Sequence, residues 1–322
     1  MDVVRIGTLG SARITETALI EAVRQVPGVT VAGVAARDLP RAEGFALRHG
    51  IPAAYGSYDE LLADPDIDAI YNPLPNSLHG PWTLQAISAG KHVLCEKPFA
   101  SNEAEAVTVA DAAAASGLVI MEGMHYRYHP LIQRLREVVA ALGPVRHIQC
   151  WTSFAIEDPA DIRYDYALGG GALMDGGCYA LDCLRLLGPG EPQVTAALAD
   201  TTPDGLVDLS MAARLAFGGG ATGWFESAFV PAGDFRADVH VTCENGTAWV
   251  RDFIRAHEGQ LIVGSREGEP GPDDDITSYS WQLRAFADAI KTGAPVETTA
   301  AHAVTTMRLI DDTYRAAGLP PR

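Results

Sequence analysis

Lysine is almost missing from this 322-residue chain: Lys91, Lys97 and Lys291 stand alone against 21 arginines. Wherever a compact ammonium is needed, the candidates are therefore few. Positive charge as a whole is also short, with 24 Lys and Arg against 41 Asp and Glu, a formal charge of −17 and a pI near 4.8. A mean field of that sign repels phosphate backbones and anionic lipid, so nucleic acid and membrane surfaces drop out as default partners. No run of about 18 uninterrupted apolar residues occurs, and Met1-Asp2-Val3-Val4-Arg5 lacks the cationic-then-apolar pattern of a signal peptide. The expectation is a soluble, cytoplasmic protein. Cysteine is sparse too: Cys95, Cys150, Cys178, Cys183 and Cys243 form no C-x-x-C pair and are odd in number, which suits neither a disulfide framework nor a zinc site. His125 and His129 have ligand-like spacing, but the H-E-x-x-H pattern is absent, as is the G-x-S-x-G elbow of hydrolases. No metal is expected.

What the chain does have is apolar content, 48% of it, and a length that suggests two domains. Short β-branched runs at 3–8, 29–35, 69–71, 92–95 and 118–121 alternate with helical spacing at 12–26, 39–49, 58–63, 78–89 and 102–115. That alternation predicts a doubly wound parallel sheet over residues 1–121, a Rossmann domain in the α/β class. Beyond it the rhythm changes. Helices at 129–141 and 173–187 flank a strand at 145–154, and further strands follow at 193–199, 207–217, 221–229, 237–243, 247–250 and 260–263. After a polar loop at Gly268–Asp275, helices at 278–291 and 301–317 close the chain. Residues 122–322 are thus expected to form an α+β domain on an open, mainly antiparallel sheet.

Strand 1 ends in Gly7-Thr8-Leu9-Gly10-Ser11-Ala12-Arg13-Ile14, a G-x-x-G-x-A form of the dinucleotide fingerprint. Gly7 would permit the tight turn, Gly10 would let pyrophosphate approach a helix N-terminus, and Ala12 would keep helix and strand close. The alternative is an ordinary strand-to-helix turn. At the tip of strand 2 stand Arg37 and Asp38. An acid there favours NAD, whereas an arginine can pair with a 2′-phosphate, so NADP(H) is favoured over NAD(H). Asp38 can equally be the N-cap of the next helix. Glu96-Lys97-Pro98 places a lysine at the carboxyl edge of the sheet, where ligands of open α/β folds collect. Asp175, Tyr179 and Asp182 stand at i, i+4 and i+7, so one helix face is expected to carry all three. A carboxylate one turn from a phenol can orient it, and a nearby ammonium would favour the phenolate, a plausible proton relay for carbonyl reduction. In the alternative, Tyr179 is a core residue whose hydroxyl is satisfied by Asp182.

Taken in order, Gly7–Ile14, Asn72-Pro73-Leu74-Pro75-Asn76-Ser77-Leu78-His79, Glu96-Lys97-Pro98, Arg127-Tyr128-His129-Pro130 and the stretch from Gly169 to Tyr179 give the chain its resemblance. It resembles the glucose–fructose oxidoreductase, inositol dehydrogenase and MocA-like family over essentially its whole length, most of all the branch with NADP-dependent xylose dehydrogenases and dimeric dihydrodiol dehydrogenases. The resemblance implies a nicotinamide between the domains, Lys97 and Tyr179 as catalytic pair, and Asp175 as a substrate or lysine contact. Gly7, Leu9, Gly10, Ser11, Ala12, Arg13, Arg37, Pro73, Leu74, Asn76, His79, Glu96 and Lys97 would line the coenzyme, though His79 can equally be a helix-start residue. Arg127 would stand at the substrate mouth, with Tyr164 a further substrate candidate. Many members carry histidine where this chain has Tyr179, which argues against an inositol dehydrogenase.

The implied activity is an NADP(H)-dependent interconversion of a hydroxyl and a carbonyl on a sugar, polyol or cyclic diol, by hydride transfer at nicotinamide C4. A ketoreductase for nucleotide-linked deoxysugars and a noncatalytic sugar or nucleotide sensor are the alternatives; retention of Lys97 and Tyr179 opposes the second. The open sheet of the second domain, with Gly218–Phe225 and Trp249, is expected to expose an apolar face that joins copies into a homodimer or a homotetramer.

Overall fold

The computed structural model describes residues 3–230, 235–265 and 276–322, with 269–270 described by their backbone alone. They form two compact units: Met1–Met124 with Tyr279–Val304, and His125–Ser278 with Thr305–Arg322. The first unit is therefore discontinuous. Residues 279–304 return to it because the edge of its sheet still has polar groups to pair: Glu122 N–H donates to Thr298 O at 2.8 Å and Thr298 Oγ1 donates to Glu122 O at 2.8 Å. Ser280 Oγ, in the same segment, donates to Gln25 at 2.6 Å.

In unit 1, strands β1 (Val4–Leu9), β2 (Val29–Ala35), β3 (Ala53–Tyr55), β4 (Ala69–Asn72), β5 (His92–Cys95) and β6 (Ile120–Glu122) form a six-stranded sheet in the order β3-β2-β1-β4-β5-β6. Every pairing is parallel. Both faces are covered, and β4 is accordingly buried at each position. Helices α1 (Leu39–His49), α2 (Tyr58–Ala63), α3 (His79–Ser88) and α4 (Glu103–Ser116) join the strands. Three of them start on side-chain caps: Asp38, Ser57 and Asn102 accept from the N–H of Arg41, Glu60 and Glu105. Two features differ from the sequence reading. Strand β3 has no strand-like composition and exists through its pairing with β2, and the helix read at 12–26 contains a π-helical turn at Glu16–Glu21.

Unit 2 is built on β7 (Val145–Ala155), β8 (Gln193–Thr201), β9 (Asp208–Ala216), β10 (Thr222–Val230), β11 (Arg236–Cys243), β12 (Gly246–Arg251), β13 (Gln260–Val263) and β14 (Glu269–Pro270). The order is β14-β13-β12-β11-β7-β10-β9-β8, antiparallel except where β7 meets β10. Of the polar loop read at 268–275, Glu269 and Pro270 pair with β13, and the rest lies outside the described residues. Helix α5 (Pro130–Ala141) packs on β12 and β13, and α6 (Cys178–Leu187) on β7 and β10. They bury the alternate residues Ile148 and Cys150 of β7 and Phe225 of β10, leaving Trp151 and Trp224 on the other face with ring centroids 5.4 Å apart. Helix α7 (Ser278–Thr292) and helix α8 (Ala300–Ala316) end the chain. All five cysteines are buried, and none is in a disulfide among the described residues. Among the described residues no helix is long and apolar enough to cross a membrane, and no group of three His, Cys, Asp or Glu could hold a metal ion.

Candidate active site

In unit 1 the strand order reverses between β1 and β4, and the carboxyl ends of those strands form the crevice where open α/β sheets take ligands. Beyond β1, Gly10 has φ +78° and its N–H donates to Ala35 O at 2.7 Å, which ties the turn to the tip of β2. A Cβ at Gly10 would be strained by that φ and would stand 3.2 Å from Leu74 Cδ2. Gly7 has another task than the tight turn expected of it. It remains inside β1, where a Cβ would stand 2.8 Å from Leu61, so its bareness lets α2 approach the sheet. Leu9 is buried, Ser11 and Ala12 are half-buried, and Arg13 is exposed.

At the tip of β2 Asp38 is committed as the N-cap of α1, accepting from Arg41 N–H at 2.9 Å. Arg37 is exposed. Arg41 Nε donates to Ser11 Oγ at 2.7 Å, which brings a second guanidinium to the glycine turn. Sequence reasoning passed over Arg41; the available signal was its i+4 spacing from Arg37 at a helix start. Burial pushes the pKa of Tyr58 up, while the charges of Arg37 and Arg41 work the other way.

Beyond β4 the chain turns through Pro73 and Leu74, both buried, and Asn76, half-buried. Buried Asn72 organises this turn: its Nδ2 donates to His79 O at 3.1 Å and to Thr83 Oγ1 at 3.3 Å. His79 opens α3 and is 1% exposed, with Nδ1 2.7 Å from Pro98 O. A carbonyl only accepts, so Nδ1 carries the proton. Burial, reinforced by the Lys97 charge, lowers the imidazole pKa to about 4, and the ring is neutral. Its Nε2 is buried with no hydrogen-bond partner among the described residues. Beyond β5, buried Glu96 accepts from Tyr71 at 2.8 Å, and Lys97 is half-buried ahead of a cis peptide to Pro98. Phe99 N–H donates to Glu122 at 3.0 Å, so the lysine turn is held from both sides. A dinucleotide fits this edge: a positive-φ glycine leaves backbone accessible, and two guanidinium groups collect at the β2 tip.

In unit 2, Asp175, Tyr179 and Asp182 do not follow one α-helical face, because Leu173–Gly177 is a π-helical turn and only Cys178 onward is α-helix. Bonding i to i+5 rotates Asp175 away from the i, i+4 relation. The turn lies hard against the sheet, where a Cβ on Gly176 would stand 2.7 Å from Phe154 and 2.8 Å from Ser227 Oγ. Asp175 pairs with Arg163 Nε at 2.9 Å. Tyr179 is 4% exposed and its hydroxyl lies 3.0 Å from His125 Nε2. Asp182, fully buried, accepts from Tyr126 at 2.6 Å and from Arg127 at 3.1 Å. Arg127 is thus a buried ion-pair partner of Asp182. Tyr164 donates to Ile156 O at 3.1 Å and packs edge-on against Phe229, holding its own loop. Arg163 and His125 are the residues that sequence reasoning missed for this cluster, since their partners lie 12 and 54 positions away. A concavity of about 670 Å³ elsewhere in unit 2 is lined by Trp151, Arg236, Asp238, Asp252 and Arg255. Arg236 pairs there with Asp238 and Arg255 with Asp252, Glu226 and Arg251 also line it, and Tyr179 is not part of it.

Comparison with known proteins matches two family models in order along the chain. The family described as oxidoreductase family, NAD-binding Rossmann fold, matches residues 4–124, and the GFO/IDH/MocA C-terminal domain matches 132–249. D-xylose 1-dehydrogenase (NADP(+)) 2 of Haloferax volcanii is 38% identical, covering 97% of this chain and 96% of the relative. Trans-1,2-dihydrobenzene-1,2-diol dehydrogenase of Sus scrofa is 38% identical over 75% of this chain and 72% of its own. The crystal structure of a 3-ketoreductase from Actinomadura kijaniata, in complex with NADP and TDP-benzene, superposes with a TM-score of 0.88 at 26% identity over 98% of both chains. With a full-length relative at that identity and both domain families matched in order, the chain belongs to the glucose–fructose oxidoreductase, inositol dehydrogenase and MocA-like family of oxidoreductases.

Proposed function

We propose that this oxidoreductase interconverts a hydroxyl and a carbonyl on a sugar, polyol or cyclic diol, using NADP(H) in preference to NAD(H). One observation carries the coenzyme choice: the acid at the β2 tip, Asp38, is spent as a helix cap, while Arg37 is exposed beside it and Arg41 reaches Ser11. Two guanidiniums suit a 2′-phosphate, and the carboxylate at the strand tip itself is committed to the helix rather than to ribose hydroxyls. When bound, the reduced nicotinamide supplies a hydride to a carbonyl carbon, and the oxidised form accepts one. Leu9, Gly10, Ser11, Ala12 and Arg13 would hold the pyrophosphate, with Pro73, Leu74, Asn76, His79, Glu96 and Lys97 toward the nicotinamide. Tyr179 gives a proton to the substrate oxygen or takes it back, and the Lys97 ammonium favours the phenolate that this leaves. Asp175, held by Arg163, and Tyr164 shape the substrate end. Arg127 acts at one remove through Asp182.

The name of the full-length Haloferax relative makes aldoses the first substrate class to try. The Actinomadura structure supports a second reading, reduction of a nucleotide-linked keto sugar. Absorbance of the reduced nicotinamide, followed with a panel of aldoses, keto sugars, cyclic diols and a nucleotide-linked ketose, separates these. Tyr179→Phe and Lys97→Met are each expected to lower turnover by about 10²–10⁴-fold with coenzyme affinity largely kept. Full turnover in both would remove the pair from the mechanism. Sugar binding by calorimetry without turnover would indicate a sensor.

The face of the unit 2 sheet that carries Trp151 and Trp224 supports assembly into a homodimer, or a tetramer of dimers. Leu198 on β8 is 80% exposed. A monomer in light scattering at micromolar concentration would refute that assembly.

A further inference from the structure

His125 enters the sequence reading only through its spacing from His129, yet the two histidines have separate tasks. His129 caps α5, with its Nδ1 accepting from Leu131 N–H at 3.2 Å. His125 sits in the turn after β6, and its two ring nitrogens join two different elements: Nε2 lies 3.0 Å from Tyr179 Oη on α6, and Nδ1 lies 2.8 Å from Ser278 Oγ at the start of α7. All three groups are buried, with His125 1% exposed, Tyr179 4% and Ser278 0%. Hydrogen bonds in such surroundings are electrostatically stronger than in water.

This line has two possible directions. If Tyr179 donated to Nε2, its proton would point away from a substrate. If Nε2–H donates to Tyr179, then Nδ1 must accept, and the Ser278 hydroxyl can supply that donor because serine both donates and accepts. In this second direction the phenol keeps its own proton for the substrate. We propose that His125 is the positioning residue for Tyr179: its Nε2–H donates to Oη, aims the phenolic proton at the substrate oxygen, and stabilises the phenolate left behind. The proposal rests on the proton-donor role given to Tyr179 above.

The step balances simply. The Tyr179 O–H bond breaks as the substrate O–H bond forms, the O–H electron pair stays on Oη as phenolate, and the two electrons of carbonyl reduction are those of the reduced nicotinamide. A hydrogen bond to a developing anion is charge-assisted, which is where its strength over a neutral contact arises. Among the described residues, the titratable and charged groups that meet this line include Tyr179 from α6, Tyr126 beside it in the chain, and the Arg127–Asp182 pair that Tyr126 meets at 2.6 Å. Asp182 is paired in this way with Arg127, so its charge is compensated.

The test uses the full-length enzyme and compares His125→Met, which has no N–H, with His125→Gln, whose amide can donate. His125→Met is expected to lower kcat by about 10–100-fold, with coenzyme KM changed less than about twofold. The ionisation on the alkaline limb of the kcat profile should rise by about one unit, and the same shift should appear in the ultraviolet difference titration of the coenzyme-free protein against Tyr179→Phe. His125→Gln should recover most of the loss. His125→Met combined with Tyr179→Phe should be no slower than Tyr179→Phe alone. An unchanged kcat and profile in His125→Met, equal losses in the Met and Gln variants with an unmoved alkaline limb, or losses that multiply in the double variant would each overturn the proposal. If His125→Met does not fold, Ser278→Ala decides it: a smaller loss with the same direction of shift supports the line, and a wild-type profile ends it. Full turnover in Tyr179→Phe alone is a separate outcome, against the role of the tyrosine rather than of its partner.

Discussion

Replacing Arg322 with methionine isolates one buried charge. Its side chain is 1% exposed and Asp208 is fully buried, with Arg322 Nη2 2.6 Å from the carboxylate. Two other donors meet the same carboxylate, Tyr314 Oη at 2.8 Å and Leu173 N–H at 2.7 Å, and Arg322 Nε also donates to Gly170 O at 2.8 Å. The ion pair thus fastens β9, the start of the π-helical turn and the loop before it to the last residues of the sequence. Breaking a buried pair by removing one partner costs about 3–5 kcal/mol, because the remaining charge is left uncompensated. The two neutral donors stay, so the low end, about 3 kcal/mol, is expected for Arg322→Met. For a unit of about 170 residues that corresponds to a fall of about 6–12 °C in its melting temperature. The pH dependence has a definite sign. Burial, opposed in part by Arg322, already holds the Asp208 carboxyl above its usual range, and without the guanidinium it rises further. A raised carboxyl pKa means that the native state takes up its proton before the unfolded chain does, so the deficit of the variant shrinks as pH falls from 7 toward about 4. Calorimetry of both proteins across that range is the assay, with Asp208→Asn/Arg322→Met expected to regain part of the loss. A variant within about 0.5 kcal/mol of wild type at pH 7, or a deficit that grows on acidification, would refute the reasoning.

Arg37→Ala should weaken NADP(H) more than NAD(H), by about 1–3 kcal/mol if a charged hydrogen bond is lost, and equal losses in titration with both coenzymes would return the preference to NAD. Buried His79, with its pKa at about 4 against 6.5 for the free imidazole, contributes stability that is present above pH 6.5 and lost as pH falls toward 4. The loss amounts to about 3 kcal/mol. His79→Asn, whose amide can replace the donor to Pro98, should flatten that part of the stability profile, whereas parallel profiles would show that His79 does not titrate as inferred. Gly176→Ala should destabilise unit 2 by about 1–3 kcal/mol, since Phe154 and the Ser227 hydroxyl occupy the space of its Cβ, and an unchanged urea midpoint would mean that the turn can move off the sheet.

The sequence by itself determined the elements whose causes are local. Strand β2, helix α1, helix α2 and strand β5 match their sequence ranges to the residue, because a β-branched run or a cap with helical periodicity is written within a few positions. The residues at the carboxyl edge of unit 1 were legible for the same reason: a strand followed by glycine, by Arg37 or by Glu96-Lys97 ends where the sheet must end. Tertiary structure decided what depends on distant partners. Strand β3, three residues of Ala-Ala-Tyr, forms because β2 offers it a ladder, and β7 runs parallel to β10 although the strands around them alternate. Gly176 and Gly177 reveal no π-helical turn as letters, and the turn follows from how closely the sheet approaches them. Spacing along a presumed helix offered Asp182 as the partner of Tyr179, whereas in the fold Asp182 neutralises Arg127 and His125 meets the phenol from 54 residues away. A hydrogen-bonding residue shows which partners it can take but not which one the folded chain will bring to it. That choice belongs to packing.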